Sequence, residues 1–554
     1  MRTGLFLTAA LALVAPPAAA ADPPVVYQTQ PVGRVLDEAR AAVNSMGGER
    51  AVKEFNAGIR QKLGEKGFDG LDLNRPLVGY VVVPADAKKS VAVVAIPVSG
   101  EKAFLDFCER WNKSKPKALK DGLYEVPPPG PETKAVMRVV DGYAYVATAA
   151  SDPAAALDPK VLIPAGKLFD PTDTALMTGR VYFDRFPQEL RDKAAEQLEE
   201  AKKGLAAFPF PADVGTAATK AYEQFAKLGT RYLDLSKGAK EAVARVRLDP
   251  DTGDAFAEAS LVAVPGSPLD QLIAARKPSV NAFAGLVTPD AVGGFRLKLP
   301  LFDAEVREAA TVGLEALRDQ VKNNAPAQPK PLLDELLKGL IRTVKAGDVD
   351  LAGVLRGPSK DGTFTSVVAL TFDDPSGVEK EAKKLIDAQL PPDFKDLLKW
   401  DAAKAGGVNV HTFEFTSLPG LGQQEMKLFG ATGKVAFAFA PKAIYFAVGP
   451  DDEAAAAIKA ALAQKPAEAP VFDILLNPAR IGKLAGIVDP QGAANAAKAI
   501  GTDDKLLSAV SLSIAGGKEL TVKYGMNVKL FGRGTWIYNT AGSDSVPPGV
   551  ELKK

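Results

Sequence analysis

The sequence predicts an α+β protein made of two related halves, each an antiparallel sheet covered by amphipathic helices. The first observation is an internal repeat, because residues 77–96 align without a gap with residues 351–370. Both segments have two apolar, β-rich runs around a polar turn, which is the pattern of a hairpin. The positions that meet the same residue type in the second segment are Leu77, Gly79, Pro84, Val93, Val94 and Ala95.

A second repeat follows the first in both halves. Residues 134–157 align with residues 434–457, and Tyr145 meets Tyr445. Each copy predicts a hairpin that leads through an acidic residue into an alanine-rich helix. Because the two repeats occur in the same order, the sequence predicts a tandem duplication. Strands that arrive as hairpins with helices between them favour antiparallel pairing over a doubly wound parallel fold.

Length and terminal patterns predict the domain organisation. A chain of 554 residues is too long for a single core. A basic start, the apolar run 5–14 and the small residues 18–21 are typical of a secretory signal. We therefore expect export to the periplasm or the exterior, and no transmembrane segment. The predicted parts are a signal peptide at 1–21, a first half at 22–270, a second half at 271–538 and a flexible tail at 539–554.

Local signals set the elements of the first half. Gly47 and Gly48 break a helical segment in two, and Ser99 with Glu101 favours a helix start after the first hairpin. Apolar residues at helical spacing in 188–207 predict a helix that covers a sheet. In order we expect a strand at 25–27, helices at 34–43 and 49–63, a hairpin at 77–96, a helix at 102–111, a strand at 122–126, a hairpin at 134–148, a strand at 175–183, helices at 188–207 and 216–233, and a hairpin at 242–264.

The second half repeats this order with a longer central connection. Phe295 begins the strand that corresponds to 25–27, and the alternation of residues 408–415 predicts a strand inside the connection. In order we expect helices at 303–321 and 332–344, a hairpin at 351–370, a helix at 377–388, a strand at 408–415, a hairpin at 434–448, an alanine-rich helix, a strand at 471–476 and a hairpin at 509–531.

Charge and cysteine content exclude several functional classes. The 68 Lys and Arg nearly cancel the 67 Asp and Glu, so no nucleic-acid partner is expected. The single cysteine, Cys108, allows no internal disulfide, and its apolar helical surroundings predict a packed thiol in preference to a nucleophile. With one cysteine and one histidine, a zinc site of clustered soft ligands is excluded.

His411 is the only histidine, so any mechanism that needs an imidazole must use it. It shares a strand face with Phe413 and Phe415, which favours a packed or half-exposed histidine over a catalytic base. No Gly-x-Ser-x-Gly segment supplies a serine nucleophile for it.

Acidic and glycine-rich segments are better explained by structural roles, as turns and helix caps, than by metal or phosphate binding. Residues 249–254 resemble a calcium loop, but the glycine is displaced and the distal glutamate is missing, so a hairpin turn is favoured. Asp152, Asp373–Asp374 and Asp451–Asp452–Glu453 precede helices and predict capping and a favourable helix-dipole interaction. Residues 420–422 are too short for a phosphate loop. The sequence therefore assigns no catalytic residue, no cofactor and no metal ligand.

The signal peptide, the strand and helix order, and the hairpin 134–148 with its copy around Tyr445 resemble secreted bacterial proteins that carry a large domain of unknown function. The resemblance implies a tandem α+β architecture outside the cytoplasm, and it carries no catalytic residue to this chain.

Three hypotheses of function follow. The favoured one is an exported, non-catalytic binding or scaffolding protein, whose partner could be a protein, a cell surface or a lipophilic ligand. The alternatives are a hydrolase that uses carboxylates alone and a carrier of lipophilic ligands between sheet and helices.

Overall fold

The computed structural model describes most of the chain and divides it into two compact units. Unit 1 comprises residues 1–200, 239–264 and 527–532, and unit 2 comprises 201–238, 265–526 and 533–554. The predicted signal peptide and the predicted tail lie outside the described residues. The described residues are 22–127, 133–149, 153–206, 215–289, 291–300, 304–327, 329–389, 391–416, 423–491, 494, 510–528 and 530.

Unit 1 is built on one antiparallel sheet. Its strands are β1 (Val25–Pro31), β2 (Pro76–Val82), β3 (Val91–Pro97), β4 (Lys117–Ala118), β5 (Leu123–Glu125), β6 (Lys134–Val140), β7 (Tyr143–Ala149), β8 (Met177–Tyr182), β9 (Ala239–Leu248) and β10 (Asp254–Ala263). They lie side by side in the order β4, β5, β6, β7, β3, β2, β1, β8, β9, β10. Every neighbouring pair is antiparallel, as the hairpin pattern predicts.

The helices of this part of the chain are α1 (Val32–Leu63), α2 (Glu101–Asn112), α3 (Ala165–Leu168) and α4 (Gln188–Ala206). α1 is kinked at Gly48, whose φ of 68° and ψ of −166° are not helical, so the predicted break is confirmed. The alanine-rich helix expected after β7 is a single 3₁₀ turn, Ala154–Leu157. The N–H of Asp158 closes this turn on the Ala155 carbonyl, after which the chain is extended.

The prediction that α4 covers a sheet with its apolar face is wrong. Ala194 and Ala201 are exposed, and Leu190, Leu198 and Leu205 are only half-buried. Helical spacing correctly predicts the helix, but it does not say what lies against the apolar side.

Both faces of the unit 1 sheet carry a core. On one face, Phe104 and Cys108 of α2 pack near Met137 of β6, which is fully buried. On the other, Tyr80 of β2 and Tyr145 of β7 are covered by the segment that contains the 3₁₀ turn and α3. The Tyr145 hydroxyl accepts a hydrogen bond from the Ala165 N–H at 2.9 Å, which ties the start of α3 to the sheet.

Unit 2 adds eight helices and a second set of antiparallel strands within the described part of the chain. Its helices are α5 (Gly215–Ser236), α6 (Pro268–Ala275), α7 (Ala304–Asn324), α8 (Lys330–Ala346), α9 (Ser376–Gln389), α10 (Gln423–Phe429), α11 (Glu453–Leu462) and α12 (Pro478–Val488). Its strands are β11 (Ser279–Asn281), β12 (Gly293–Pro300), β13 (Asp348–Arg356), β14 (Thr365–Thr371), β15 (Leu398–Ala405), β16 (Val408–Glu414), β17 (Gly433–Ala440), β18 (Ala443–Pro450), β19 (Ala467–Ala469), β20 (Phe472–Leu476), β21 (Val510–Ala515) and β22 (Leu520–Asn527). Among the described helices, none is both long enough and apolar enough to cross a membrane.

The unit 2 sheet has the strand order β15, β16, β17, β18, β14, β13, β12, β20, β21, β22, with antiparallel neighbours throughout. β11 and β19 form a separate antiparallel pair. β15 was not predicted, because charged residues interrupt its apolar alternation and the β15–β16 register shifts between Lys399 and Ala403.

In each sheet an aromatic ring lies over a glycine on the neighbouring strand. Tyr27 of β1 is the register partner of Gly79 on β2, and Phe295 of β12 is the partner of Gly353 on β13. A Cβ atom at either glycine would overlap the ring of its partner. These glycines are therefore required by close approach of a side chain rather than by a turn.

This contact gives a stability prediction. Substitution Gly79→Ala forces the Tyr27 ring out of its position, and we expect it to lower the free energy of unfolding by about 1 to 3 kcal/mol. The matched control is Gly179→Ala, since Gly179 is the partner of Tyr27 on its other side. No described atom lies within 4 Å of a Cβ at Gly179, so the control should be neutral or stabilising by up to about 1 kcal/mol. Urea unfolding checks both, and equal effects of the two variants would contradict the ring-over-glycine contact.

Candidate functional site

One face of the unit 2 sheet is apolar from strand to strand. Phe437 of β17, Phe446 of β18 and Val368 of β14 are successive register partners, so their side chains lie side by side. We call this line of partners the aromatic row. It continues across β13, β12, β20 and β21 through Gly353, Phe295, Ile474 and Leu512.

The opposite face of the same strands is closed. Ala369, Ala438 and Ala447 lie there with no solvent exposure. They pack in one buried cluster with α11, whose Ile458 is also fully buried. Small side chains on this face let the helix approach the sheet closely.

The aromatic row is less completely covered. Phe446 is 46% exposed and Val368 is 38% exposed, while Phe437 and Val448 beside them are half-buried. These two adjacent apolar side chains are open to solvent in the middle of the sheet, and we treat them as a candidate binding surface. We refer to Val368 and Phe446 as the open patch.

The aromatic row ends at a buried histidine. His411 of β16 is the register partner of Phe437 and is 0% exposed. Its ring centroid lies 5.1 Å from that of Trp400, 5.2 Å from Phe437 and 6.1 Å from Phe439. The prediction of a packed strand histidine is therefore confirmed.

Three charged side chains surround this ring. Glu379 and Lys383 lie four residues apart on α9 and so project from the same side of the helix. Asp401 lies in β15 at the register shift, with a φ of 55° that aspartate tolerates better than most residues. The irregular backbone of β15 turns the Asp401 N–H toward the imidazole.

The hydrogen bonds define the protonation of the ring. The Asp401 backbone N–H donates to Nδ1 of His411 at 3.0 Å, so in the neutral imidazole the proton is on Nε2. Nε2 lies 3.3 Å from Oε1 of Glu379, but it has no hydrogen-bond partner of acceptable geometry among the described residues. Nζ of Lys383 lies 2.8 Å from Oε1 of Glu379 and 3.6 Å from Oδ1 of Asp401. The ammonium therefore bridges the two carboxylates.

Burial keeps the imidazole neutral. Desolvation, followed by the positive charge of Lys383, lowers the pKa of His411 below its ordinary value of 6.5, although Glu379 and Asp401 act in the opposite direction. For Lys383, burial opposes the charged form, but the hydrogen bonds and charges of Glu379 and Asp401 together outweigh it and raise the pKa above the ordinary value. The cluster thus contains two carboxylates, one ammonium and one neutral imidazole.

The same residues have the donor atoms of a cation site. Within the described ranges, one group of three side chains could hold a metal ion, and it consists of Glu379, Asp401 and His411, with ligand atoms within 4.8 Å of one another. The carboxylates and the imidazole come from three separate elements, α9, β15 and β16. No spacing in the sequence connects them.

The other acidic candidates have structural roles. Residues 249–253 form the turn between β9 and β10, as predicted, and the Asp249 carboxylate accepts hydrogen bonds from the N–H groups of Asp251 at 2.9 Å and Thr252 at 3.2 Å. Asp452 precedes α11, but its side chain makes no capping hydrogen bond, so the capping prediction is wrong there. Its carboxylate instead lies 3.0 Å from Nζ of Lys434 on the neighbouring β17.

Of the remaining candidates, Asp373 and Asp374 lie beside Arg342 of α8, and Lys442 also contacts Asp373. They form surface ion pairs just before α9. Asp152 and residues 420–422 lie outside the described residues.

Cys108 is a packed thiol, as predicted. It is buried in α2 beside Phe104. Burial raises the pKa of the Cys108 thiol to about 11, because the thiolate would lose its hydration.

Sequence reasoning found His411 but missed Glu379, Lys383 and Asp401. The spacing of Glu379 and Lys383 is compatible with any solvated ion pair on a helix, and such pairs are common on exposed helices. Asp401 lies in a strand that the sequence pattern did not reveal. The cluster could be recognised only once the strand pairing was known.

Comparison with known proteins gives little further information. No family model and no curated protein matches the chain. One solved structure, described as crystal form IV of TP0453, is similar with a TM-score of 0.22 and 9% sequence identity. The match covers 46% of this chain and 81% of that chain. A likeness at this level supports no argument about fold or function.

The neutral, buried imidazole predicts a pH dependence of stability. The pKa of His411 is lower in the folded chain than in the unfolded chain, so between the two values the unfolded chain binds more protons. Stability is therefore fully present above about pH 6.5 and falls as the pH drops through the folded-state pKa. Urea unfolding between pH 7.5 and 5.5, in a buffer with a chelator, should show this loss in the wild type and a smaller loss in His411→Gln.

Because His411 is the only histidine, its titration can be followed without ambiguity by proton NMR of the imidazole. We expect a midpoint below 6.5. A midpoint at or above the ordinary value would contradict the buried neutral ring.

Cys108 gives an independent test of the unit 1 core. In the native protein at pH 8, we expect an aromatic disulfide reagent to modify the thiol at least about a hundredfold more slowly than in urea, because the thiolate fraction is small and the sulfur is covered. Fast modification of the native protein would show that α2 does not protect it.

Proposed function

We propose that the protein is an exported, non-catalytic binding protein that holds a small apolar ligand against the open patch of unit 2. The observation that carries this proposal is the exposure of Phe446 and Val368, two register partners in the middle of an apolar sheet face. Export rests on the apolar run 5–14 and the small residues 18–21.

The size of the open patch favours a small ligand over a protein. A stable protein interface buries about 800 Å² on each partner, which is far more than two side chains expose. The neighbouring rings of the aromatic row are already half-buried by the chain itself. A ligand with an apolar body could complete the cover of Phe446 and Val368 and would gain roughly 25 cal/mol for each Å² of apolar surface removed from water.

The chemistry at the end of the row does not favour a hydrolase. The His411 ring is 0% exposed, so a substrate cannot reach it without movement of α9 or β15. The two carboxylates nearest to it are bridged by the ammonium of Lys383, which a substrate would have to displace to reach either of them.

We also infer that the two units arose by tandem duplication, which would make the binding face of unit 2 a modified copy of a face in unit 1. The strand orders support this, since each successive strand in β4, β5, β6, β7, β3, β2, β1, β8, β9, β10 corresponds in chain order to one in β15, β16, β17, β18, β14, β13, β12, β20, β21, β22. The Tyr27–Gly79 and Phe295–Gly353 partners support it as well. In homologous chains, we expect a glycine opposite an aromatic residue at both the Tyr27–Gly79 and the Phe295–Gly353 positions. Frequent replacement of the glycine or the aromatic residue at either position would argue against duplication.

Ligand binding is tested on purified full-length protein. We expect solvent extracts of the native protein to contain an apolar compound at near-stoichiometric amount by mass spectrometry. After delipidation, the protein should bind the apolar fluorophore N-phenyl-1-naphthylamine, and Phe446→Gln should weaken that binding by about tenfold because it removes an apolar contact of roughly 1.5 kcal/mol.

The matched control is Leu119→Gln. Leu119 is 42% exposed but belongs to unit 1, where it lies between β4 and β5. Its substitution should leave fluorophore binding unchanged. If extracts are repeatedly clean and Phe446→Gln binds the fluorophore as the wild type does, the proposal is overturned.

A further inference from the structure

We propose that His411 and Glu379 bind a divalent transition-metal cation, with Asp401 as the residue that orients the imidazole. This inference is independent of the apolar-ligand proposal, because it rests on the charged cluster and not on the open patch. The two can fail separately.

The first support is a buried nitrogen aimed at a carboxylate. Nε2 of His411 belongs to a fully buried ring, has no hydrogen-bond partner among the described residues, and lies 3.3 Å from Oε1 of Glu379. Buried polar atoms are nearly always paired, so an orphan of this kind calls for an explanation such as an ion. A metal between Nε2 and Oε1 would supply the partner that the nitrogen lacks.

The donor set determines which cations fit. One imidazole nitrogen with carboxylate oxygen suits Zn²⁺ and the other late first-row divalent ions. Ca²⁺ and Mg²⁺ prefer oxygen ligands alone. With two protein ligands, water would complete the coordination of the ion.

Asp401 fits the role of an outer partner to the metal ligand. Coordination needs the lone pair of Nε2, so the single proton of the neutral imidazole must move to Nδ1. Oδ1 of Asp401 lies 3.4 Å from Nδ1 and can accept that proton in a hydrogen bond. A carboxylate that holds the far nitrogen of a metal-bound histidine fixes the tautomer and makes the ligand more basic.

The backbone must adjust for this change, since the Asp401 N–H now donates to Nδ1. Asp401 lies at the register shift of β15, and its side chain is 51% exposed. An irregular, partly exposed segment can rotate one peptide at lower cost than a regular buried strand.

The ammonium of Lys383 lies where it competes with a cation for the two carboxylates. Its ammonium contacts Glu379 at 2.8 Å and Asp401 at 3.6 Å. The Lys383 side chain is 30% exposed, so the ammonium can turn toward solvent when a metal binds. The lysine is therefore a competitor for Glu379, and its removal should strengthen metal binding.

Titration of the full-length protein with Zn²⁺ tests the site. Because there is one histidine, the ¹⁵N resonance of Nε2 in a histidine-labelled sample reports on this site alone. We expect Zn²⁺ to shift this resonance to the position of a metal-bound nitrogen and Nδ1 to that of a protonated one. Mg²⁺ at the same concentration should shift neither.

Variants separate a metal site from a structural ion pair. Lys383→Met should raise the Zn²⁺ affinity about fivefold, since it removes one positive charge a few Å from the ion. Glu379→Gln and Asp401→Asn should each lower it about tenfold or more. The matched control is Lys384→Met, because Lys384 lies on the same helix and makes an exposed ion pair with Glu381 at 2.7 Å. This control should leave the affinity unchanged.

Two results would overturn the proposal. One is an Nε2 resonance that does not move at millimolar Zn²⁺ in either the wild type or Lys383→Met. The other is a rise in affinity for Lys384→Met equal to that for Lys383→Met, which would indicate a general charge effect. Circular dichroism confirms that each variant is folded, and Lys383→Gln replaces Lys383→Met if the methionine variant does not fold.

Discussion

The alternation of small and large side chains along the strands of unit 2 is the constraint on which the rest of this unit depends. Successive residues of a strand point to opposite faces, and in β17 alanines occupy one face while Val435, Phe437 and Phe439 occupy the other. α11 can pack closely only against the alanine face. The phenylalanine face is too uneven for the same close approach, so parts of it stay uncovered. The open patch is thus a consequence of the pattern that builds the opposite core.

The same constraint explains why the imidazole of His411 is buried. The His411 side chain points to the same face of the sheet as Phe437, its register partner. This is the face that α9 and Trp400 cover. A half-buried Glu379 carboxylate beside a buried imidazole would be costly without a counter-charge. Lys383 supplies that charge from α9, so the helix that covers the ring also carries the counter-charge.

Much of the fold could be predicted from the sequence, because hairpins are local. The turn at Asp141–Gly142 and the alternation on either side of it specify β6 and β7 within a few residues, and the kink at Gly48 follows from two adjacent glycines. β15 could not be predicted, because its pairing depends on β16 and not on its own pattern. The capping of α11 failed for a similar reason, since Lys434 of another strand takes the Asp452 carboxylate. Of the site, the sequence indicated the buried state of His411 but none of the three charged residues around it.

The proposed duplication places the two copies of the row in direct comparison. In unit 1 the corresponding register partners are Tyr124, Met137 and Val146, and Met137 is fully buried beneath α2. In unit 2 they are His411, Phe437 and Phe446, with the last one exposed.

The helices that cover the two rows also differ, since the one in unit 1 presents apolar side chains and the one in unit 2 presents charged ones. α2 presents Phe104 and Cys108 to the unit 1 row, whereas α9 presents Glu379 and Lys383 to His411. A sheet face that is covered by an apolar helix gains stability from the buried contact and leaves no exposed surface for a ligand. A face that has exchanged apolar cover for charge and exposed rings has lost that stability, and such a loss is expected where a protein binds something. This difference in cover is the reason why we place the proposed binding surface on unit 2.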